Sequence, residues 1–260
     1  MNVAVTGARG QMGGAVVEAA TERDDLTVAW GVSAHPDDGK LHGVSVYGPN
    51  ELDHLLERYR PNAVVDFSVP EAAVETVRAA AEAAVPAVVG TTGLTDGQLD
   101  ELRAASETVP VLKAANFARG VQALRRAVES AVADLPGYDV EVTETHHNRK
   151  RDAPSGTANA LLEAIEATRA ETDRQAGERV HGREGEAPRE EGEIGVHARR
   201  AGDVRGEHEV LLAGNDEVLT LAHRAESRRV FAAGALDAAV WLAGQHPGRY
   251  EFADALEGGA

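Results

Sequence analysis

The fold is decided near the amino terminus, where residues 2–13 carry the sequence NVAVTGARGQMG. The apolar run 2–6 has the length of a buried strand, and an Ala- and Val-rich helix follows it. Between them, Gly7, Gly10 and Gly13 allow a tight turn and a close approach of the backbone to a ligand. Strand, glycine turn and helix together indicate the first unit of a dinucleotide-binding fold, with a helix amino terminus facing a pyrophosphate.

The glycine spacing, GxxGxxG, differs from the GxGxxG of the common dinucleotide fingerprint. Taken alone, this motif is also compatible with a structural glycine turn in another α/β protein. Its position directly after an N-terminal strand favours the nucleotide interpretation.

Further along, apolar runs of strand length alternate with helical segments, which predicts an α/β fold with a Rossmann-like parallel sheet covered by helices on both faces. These runs are 26–32, 63–67, 87–89 and 109–113. Polar and glycine-bearing segments follow the strands, and ligands bind at the carboxyl ends of the strands in such sheets. These segments are 7–13, residue 68, 90–93 and 114–117. Their agreement in position supports a nucleotide site more strongly than the glycine turn does.

The end of the second strand normally shows which nicotinamide cofactor is used. An acid there binds a ribose hydroxyl, and a basic side chain accepts a 2′-phosphate. Here the residues are Ser33, Ala34 and His35, so no carboxylate repels a phosphate, and Ser33 and His35 could donate to one. This favours NADPH, although His35 taken alone is better explained as a solvated loop residue.

The pattern changes after a helix that spans about 120–133. A strand over 138–145, a helix over 155–169 and a charged, Gly-containing segment at 170–192 follow, the last interpreted as a solvated loop or lid. Three strand-like runs separated by short turns then predict an antiparallel or mixed sheet, namely 193–201, 206–213 and 217–223. We therefore expect an α+β second domain over 119–226, and a first domain over 1–118 completed by the C-terminal segment 227–260.

The segment 144–158 concentrates chemistry-bearing side chains ahead of the start of a helix. His146 and His147 titrate near neutrality, and Lys150 can both donate a proton and stabilise charge. A metal site is disfavoured because adjacent histidines point apart and flanking cations would repel a metal ion. The alternatives without function are histidines packed in the core and a lysine on the surface. The surface interpretation of Lys150 is weakened because the chain has only three lysines. An acid, a cation and an anion-binding helix start favour a site that holds a carboxylate and delivers a proton.

Composition limits the partners. The 260 residues include 43 acidic and 26 basic side chains, which gives a net charge of −17, and cysteine is absent. Such a field repels nucleic acid and anionic membrane surfaces, and no disulfide or thiolate metal site can form. Acid enrichment with few lysines is typical of a halophile, or of an acidic protein from a high-GC genome. With neither a signal peptide nor an apolar run of membrane-spanning length, we expect a cytoplasmic chain.

The run His146-His147-x-x-Lys150-x-Asp152-Ala153-Pro154-Ser155-Gly156-Thr157-Ala158 resembles the signature of the 4-hydroxy-tetrahydrodipicolinate reductase (dihydrodipicolinate reductase) family of lysine and diaminopimelate synthesis. Further matches run in order along the chain: Gly7-x-x-Gly10-x-Met12-Gly13, Asp66-Phe67-Ser68-x-Pro70-Glu71, Gly90-Thr91-Thr92-Gly93, Ala115-Asn116-Phe117, Arg200-Ala201-Gly202-Asp203-x-x-Gly206-Glu207-His208, and Ser227-Arg228 with Phe231. The resemblance implies a Rossmann nucleotide domain, a mixed-sheet substrate and tetramerisation domain, a homotetramer, and reduction of a dicarboxylate ring by NADPH or NADH.

By position, the resemblance makes His146 and Lys150 the proton-donating pair and assigns His147, Ser155, Gly156 and Thr157 to substrate binding. It assigns the cofactor to Gly7, Ala8, Arg9, Gly10, Gln11, Met12, Ser33, Gly90, Thr91, Thr92, Ala114, Ala115, Asn116 and Phe117. The family often has an acid and an Arg where this chain has Ser33 and Ala34, so the choice between NADPH and NADH stays open. Two other functions are a related imino- or amino-acid dehydrogenase on the same scaffold and a non-catalytic NAD(P)-binding sensor.

Overall fold

A computed structural model describes residues 1–37, 39–171 and 177–259. The chain divides into two compact units, Met1–Phe117 with Arg228–Ala260, and Ala118–Ser227. The strands are β1 (Asn2–Thr6), β2 (Thr27–Val32), β3 (Val46–Tyr47), β4 (Ala63–Asp66), β5 (Ala87–Val89), β6 (Pro110–Lys113), β7 (Asp139–His146), β8 (Arg179–His181), β9 (Ile194–Arg200), β10 (Glu207–Gly214), β11 (Glu217–Arg224) and β12 (Gly248–Tyr250). The helices are α1 (Gln11–Thr21), α2 (Leu52–Tyr59), α3 (Pro70–Glu82), α4 (Asp96–Ala105), α5 (Arg119–Asp134), α6 (Gly156–Glu171), α7 (Arg229–Leu242) and α8 (Phe252–Glu257).

The first unit is built on a seven-stranded sheet in the order β12-β6-β5-β4-β1-β2-β3, with every pairing parallel. Its central strands are continuous apolar runs because both of their faces are covered. One face packs against α1 and α7, and the other against α2, α3 and α4. The predicted Rossmann-like parallel sheet with helices on both faces is confirmed.

The strand order of this sheet reverses beside β1. The chain passes from β1 outward to β2 and β3, and then crosses over to β4, β5 and β6 on the other side. Ligand crevices in open α/β sheets form at such a switch point, outside the carboxyl ends of the strands. The glycine turn after β1 and the Phe67–Val69 segment after β4 therefore lie where a nucleotide binds in this fold.

The second unit contains a five-stranded mixed sheet in the order β11-β10-β7-β9-β8. Strand β10 is antiparallel to β7 and β11, whereas β9 is parallel to β7 and β8. The helices α5 and α6 supply Leu124, Val128, Leu161 and Ile165 to an apolar core against one face of the sheet. This arrangement is the mixed sheet that the short strands predicted, and it places the end of β7 next to β9 and β10.

Several short elements differ from the sequence prediction. The segment 170–192, expected to be a loop or lid, contains the end of α6 and the strand β8, while 172–176 lie outside the described residues. Strands of two or three residues such as β3, β8 and β12 are too short to show an alternating pattern. Helix α2 was not predicted either, although Leu52, Leu55 and Leu56 lie on its buried side at helical spacing.

Candidate active site

The glycine turn after β1 has the geometry that a phosphate needs. The backbone of Gly7 has φ +70°, and a Cβ there would lie 2.2 Å from the carbonyl oxygen of Phe67. A Cβ on Gly13 would lie 2.1 Å from the carbonyl oxygen of Gly7, so the helix packs directly on the turn. Among the described residues, the first turn of α1 has neither an acidic side chain nor a side-chain cap at Gly10. The helix amino terminus thus presents its positive end without a protein anion.

A cavity of about 430 Å³ opens beside this turn within the first unit. Apolar side chains such as Leu52, Phe67 and Val69 form part of its wall, and Arg9 and Ser33 bring polar groups to it. The Arg9 guanidinium donates to the carbonyl of Gly39 at 2.6 Å and pairs with Asp37. Its full lining is Thr6, Gly7, Arg9, Gly10, Val32, Ser33, Ala34, His35, Pro49, Leu52, Phe67, Ser68, Val69, Ala72, Glu75 and Thr76. Apolar walls with a few convergent donors fit a nucleotide.

One buried carboxylate ties three strand ends together beneath the cavity. Asp66, at the end of β4, is 1% exposed and accepts hydrogen bonds from the hydroxyls of Thr6, Ser68 and Thr91. The backbone N–H of Ser68 donates in turn to the Thr91 hydroxyl at 2.9 Å. Asp66 therefore holds the loops after β1, β4 and β5 in register. The sequence alone predicted no role for Asp66.

The structure gives the expected cofactor residues different positions. Ala8 and Phe117 are buried, and Phe117 packs between the rings of Phe67 and Phe252, so these side chains belong to the core. Thr91 is also buried and turns its hydroxyl inward to Asp66. The remaining positions are half-buried or exposed at strand ends or at the start of α1: Gly7, Arg9, Gly10, Gln11, Met12, Gly90, Thr92, Ala114, Ala115 and Asn116. Ser33 is 9% exposed and lines the cavity.

In the second unit, a buried carboxylate organises the end of β7. Glu144 is 1% exposed, and Arg200 donates to both of its oxygens, at 2.8 and 2.7 Å. The backbone N–H of Ser155 donates to Oε1 at 3.1 Å, and His146 Nδ1 lies 2.6 Å from Oε2. Burial alone would raise the pKa of Glu144, but the hydrogen bonds from Arg200 and His146 hold it below its usual value.

His146 is surrounded by charge of both signs. Burial lowers the pKa of His146, and Lys150 and Arg200 lower it further, against the attraction of the Glu144 carboxylate. Lys150 lies near the same ring, and its Nζ is 2.8 Å from Asp152 Oδ1. Burial would raise the pKa of Asp152, but the Lys150 ammonium holds it low. The two expected proton donors are therefore neighbours, and both retain side-chain exposure, 12% for His146 and 21% for Lys150.

Ser155 caps the helix that follows the site. Its Oγ accepts the backbone N–H of Ala158 at 3.2 Å and lies 3.1 Å from His208 Nε2. Because Oγ already accepts one bond, its hydroxyl hydrogen is free to point at His208, which requires a neutral imidazole. Burial, together with the charge of His146, lowers the pKa of His208 to about 4. The Ser155 side chain is 1% exposed and its hydroxyl lies between these two protein partners, and the substrate contact expected for it stays a prediction.

The other expected substrate residues lie at the surface of this cluster or close beneath it. His147 is half-buried, Gly156 is exposed as the first residue of α6, and Thr157 is 9% exposed. The described first turn of α6 contains no acidic residue. Across the described part of the chain, no three potential metal-ligating side chains converge, and no helix is long and apolar enough to cross a bilayer.

Sequence reasoning assigned no role to Glu144, Arg200 or His208. Arg200 and His208 belong to the motif at 200–208, which β9 and β10 bring to either side of β7. The signal available in the sequence was that these polar and charged residues stand on strands whose other residues alternate between apolar and polar.

Comparison with known proteins gives two family models that together cover most of the chain. The model described as dihydrodipicolinate reductase, N-terminus, matches residues 1–117, and that for the C-terminus matches 120–256. The chain belongs to the dihydrodipicolinate reductase family. A relative from Natronomonas pharaonis named 4-hydroxy-tetrahydrodipicolinate reductase is 57% identical over 98% of this chain and 100% of its own length. One of the same name from Haloarcula marismortui is 54% identical over 98% of each chain.

A solved member of the family has the same fold. The dipicolinate-bound dihydrodipicolinate reductase from Paenisporosarcina sp. TG-14 superposes with a TM-score of 0.78 at 25% identity, over 96% of this chain and 97% of the other. The resemblance inferred from the motifs is therefore confirmed, as are the oxidoreductase class and the use of a nicotinamide cofactor.

Proposed function

We propose that this chain reduces 4-hydroxy-tetrahydrodipicolinate to tetrahydrodipicolinate with NADPH or NADH, in lysine and diaminopimelate biosynthesis. The observation that carries the proposal is the cluster at the end of β7, where His146 and Lys150 lie beside a capped helix start. A chain of net charge −17 that gathers cations at one point is suited to a dianionic substrate. The names of the two haloarchaeal relatives and the dipicolinate bound to the solved relative agree with such a substrate.

In this proposal the 4-hydroxyl group leaves as water to give the conjugated dihydrodipicolinate ring, the reduced nicotinamide would supply a hydride to that ring, and the second unit supplies the proton. His146 and Lys150 protonate the carbon or nitrogen that gains electron density. His147 and the first residues of α6, Gly156 and Thr157, hold the carboxylates, since a helix amino terminus favours an anion. Ser155 supports them by capping the helix.

The charge of the substrate can set the protonation of the acid. In the free chain, burial and nearby cations lower the pKa of His146. A bound dianion adds negative charge beside the imidazole, which favours the imidazolium and raises its pKa. The acid would thus be charged when the substrate is present, as a general acid requires.

The two units divide the work in this proposal. The first unit is the dinucleotide-binding domain, supported by its glycine turn, its cavity and the amino terminus of α1. The second is the substrate and oligomerisation domain. One face of its sheet is covered by α5 and α6, and no described helix of this unit packs on the other face, which a homotetramer would cover. We also infer a cytoplasmic enzyme adapted to high salt, from its acidic composition and its haloarchaeal relatives.

The test is turnover on a chosen pair of substrates in molar KCl. The near-ultraviolet absorbance of NADPH and NADH is followed with the cyclic product freshly formed from pyruvate and aspartate semialdehyde, and separately with acyclic carboxylated imines. Rapid oxidation with the cyclic substrate alone supports the proposal. Oxidation with an acyclic imine alone would identify a related imine dehydrogenase, and cofactor binding without any oxidation would identify a sensor.

A further inference from the structure

We propose that Glu144 is a positioning residue that fixes the tautomer of His146 and keeps its proton available for the reaction. The inference rests on the proposed function for the role of His146, but its structural part can be tested without turnover. Glu144 itself does not touch the substrate in this proposal, because its carboxylate is buried and fully occupied by protein donors.

The first line of support is the way the carboxylate is filled. Arg200 occupies one position on each oxygen, the Ser155 N–H takes a further one on Oε1, and His146 Nδ1 takes one on Oε2. A bidentate guanidinium and a backbone N–H fix a carboxylate in orientation as well as in charge. The oxygen that faces His146 therefore cannot turn away without breaking three other bonds.

The second line is the tautomer that follows. A carboxylate kept ionised by Arg200 only accepts, so the His146 nitrogen 2.6 Å away must carry a hydrogen. That nitrogen is Nδ1, which leaves Nε2 as the atom that exchanges a proton with a ligand.

The third line is the residue opposite Nε2. A Cβ placed on Gly206 would lie 3.1 Å from His146 Nε2, tighter than an ordinary van der Waals contact. Any side chain at this position would cover the nitrogen that the Glu144 contact turns outward. Glycine at 206 thus agrees with an Nε2 that must remain accessible.

The groups facing His146 differ in sign according to the element that carries them. Glu144 on β7 favours the imidazolium, whereas Lys150 in the following loop and Arg200 on β9 oppose it, and His208 on β10, whose pKa is lowered to about 4, is uncharged at neutral pH. Glu144 is the single anion in this set. Removing Glu144 and removing Arg200 must therefore move the His146 proton equilibrium in opposite directions, although both changes break the same ion pair.

The experiment uses Glu144→Gln and Arg200→Gln in the full-length protein. The alkaline limb of the pH profile of kcat/KM, which reports the free enzyme, should move to lower pH by about one unit or more in Glu144→Gln. In Arg200→Gln it should move to higher pH. A purely structural role for the ion pair predicts losses of activity without opposite shifts, and shifts of the same sign in both variants would overturn the proposal.

A second readout needs no activity and neither of these two variants, only the wild-type protein and a folded His146→Gln variant for assignment. Two-bond ¹H–¹⁵N correlation spectra of ¹⁵N-histidine-labelled protein, with His146 assigned from His146→Gln, show which ring nitrogen carries the hydrogen. We expect Nδ1–H at neutral pH in the wild-type protein, and an Nε2–H tautomer would refute the positioning role. If the wild type fails to turn over the cyclic substrate yet shows Nδ1–H, the proposed function fails while the positioning by Glu144 stands.

Discussion

Replacement of His208 by Gln should make the second unit less sensitive to acid. His208 is 3% exposed, and burial first, with the charge of His146, lowers its pKa from the ordinary 6.5 to about 4. As the pH falls below 6.5, the unfolded chain takes up a proton that the folded chain refuses, so the free energy of unfolding falls. Of the interval between about pH 7 and about pH 5, about 1.5 units lie below the unfolded pKa of 6.5, which corresponds to about 2 kcal/mol.

The assay must report on the second unit itself. Both tryptophans, Trp30 and Trp241, belong to the first unit, so their fluorescence does not follow β10. Hydrogen exchange of the β10 amides, corrected for the intrinsic pH dependence, measures the opening free energy of this strand at both pH values. The exposed His54, replaced by Gln, provides a control that alters the histidine count without altering the core.

We expect wild type and His54→Gln to lose about 2 kcal/mol more than His208→Gln between about pH 7 and about pH 5. The absolute stability of His208→Gln can be lower at either pH, because only the difference in slope is used. Equal losses in all three proteins would show that His208 is not held neutral by burial. A protonated His208 could not accept the hydroxyl hydrogen of Ser155.

Two further predictions concern the first unit. Gly7→Ala should weaken NADPH binding at least about tenfold in a fluorescence titration, because the φ of +70° and the overlap with the Phe67 carbonyl force the turn to move. The control Gly97→Ala, in open space on α4, should leave the affinity unchanged. Equal NADPH affinities of Gly7→Ala and the wild type would contradict the tight-turn account. Asp66→Asn should lower the free energy of unfolding by about 2–3 kcal/mol, since an amide nitrogen cannot accept from the bound hydroxyls. Urea unfolding followed by Trp30 fluorescence would measure this, and a change within error would show that the hydroxyls need no anion.

Elements with a continuous apolar run or a clear helix start could be predicted from the sequence. Strands β1, β4 and β5 are continuous apolar runs because they are covered on both faces, and α4 begins at a Thr95 capping box. Strands β3 and β12 could not be found, since these short strands lie at the two edges of the sheet and are only partly buried, so neither forms a continuous apolar run.

The candidate site could be predicted only in part, because the sequence shows which residues are close along the chain but not which distant residues meet in the fold. His146 and Lys150 stand four positions apart in one segment, so their proximity could be inferred from local sequence. Glu144 shares the buried face of β7 with Val140 and Val142. The sequence could not name its partner, because Arg200 is 56 positions away in the chain. Only the parallel pairing of β7 with β9 brings that guanidinium to the carboxylate.

The most direct test of the central claim is single-turnover oxidation of NADPH by wild type and by the double variant His146→Gln, Lys150→Met, with the cyclic substrate. If the two side chains supply the proton, the rate should fall by at least about 10²–10⁴-fold, while the Kd for NADPH stays unchanged. A double variant that oxidises NADPH at the wild-type rate, or one that loses turnover only in proportion to a loss of NADPH binding, would contradict the assignment.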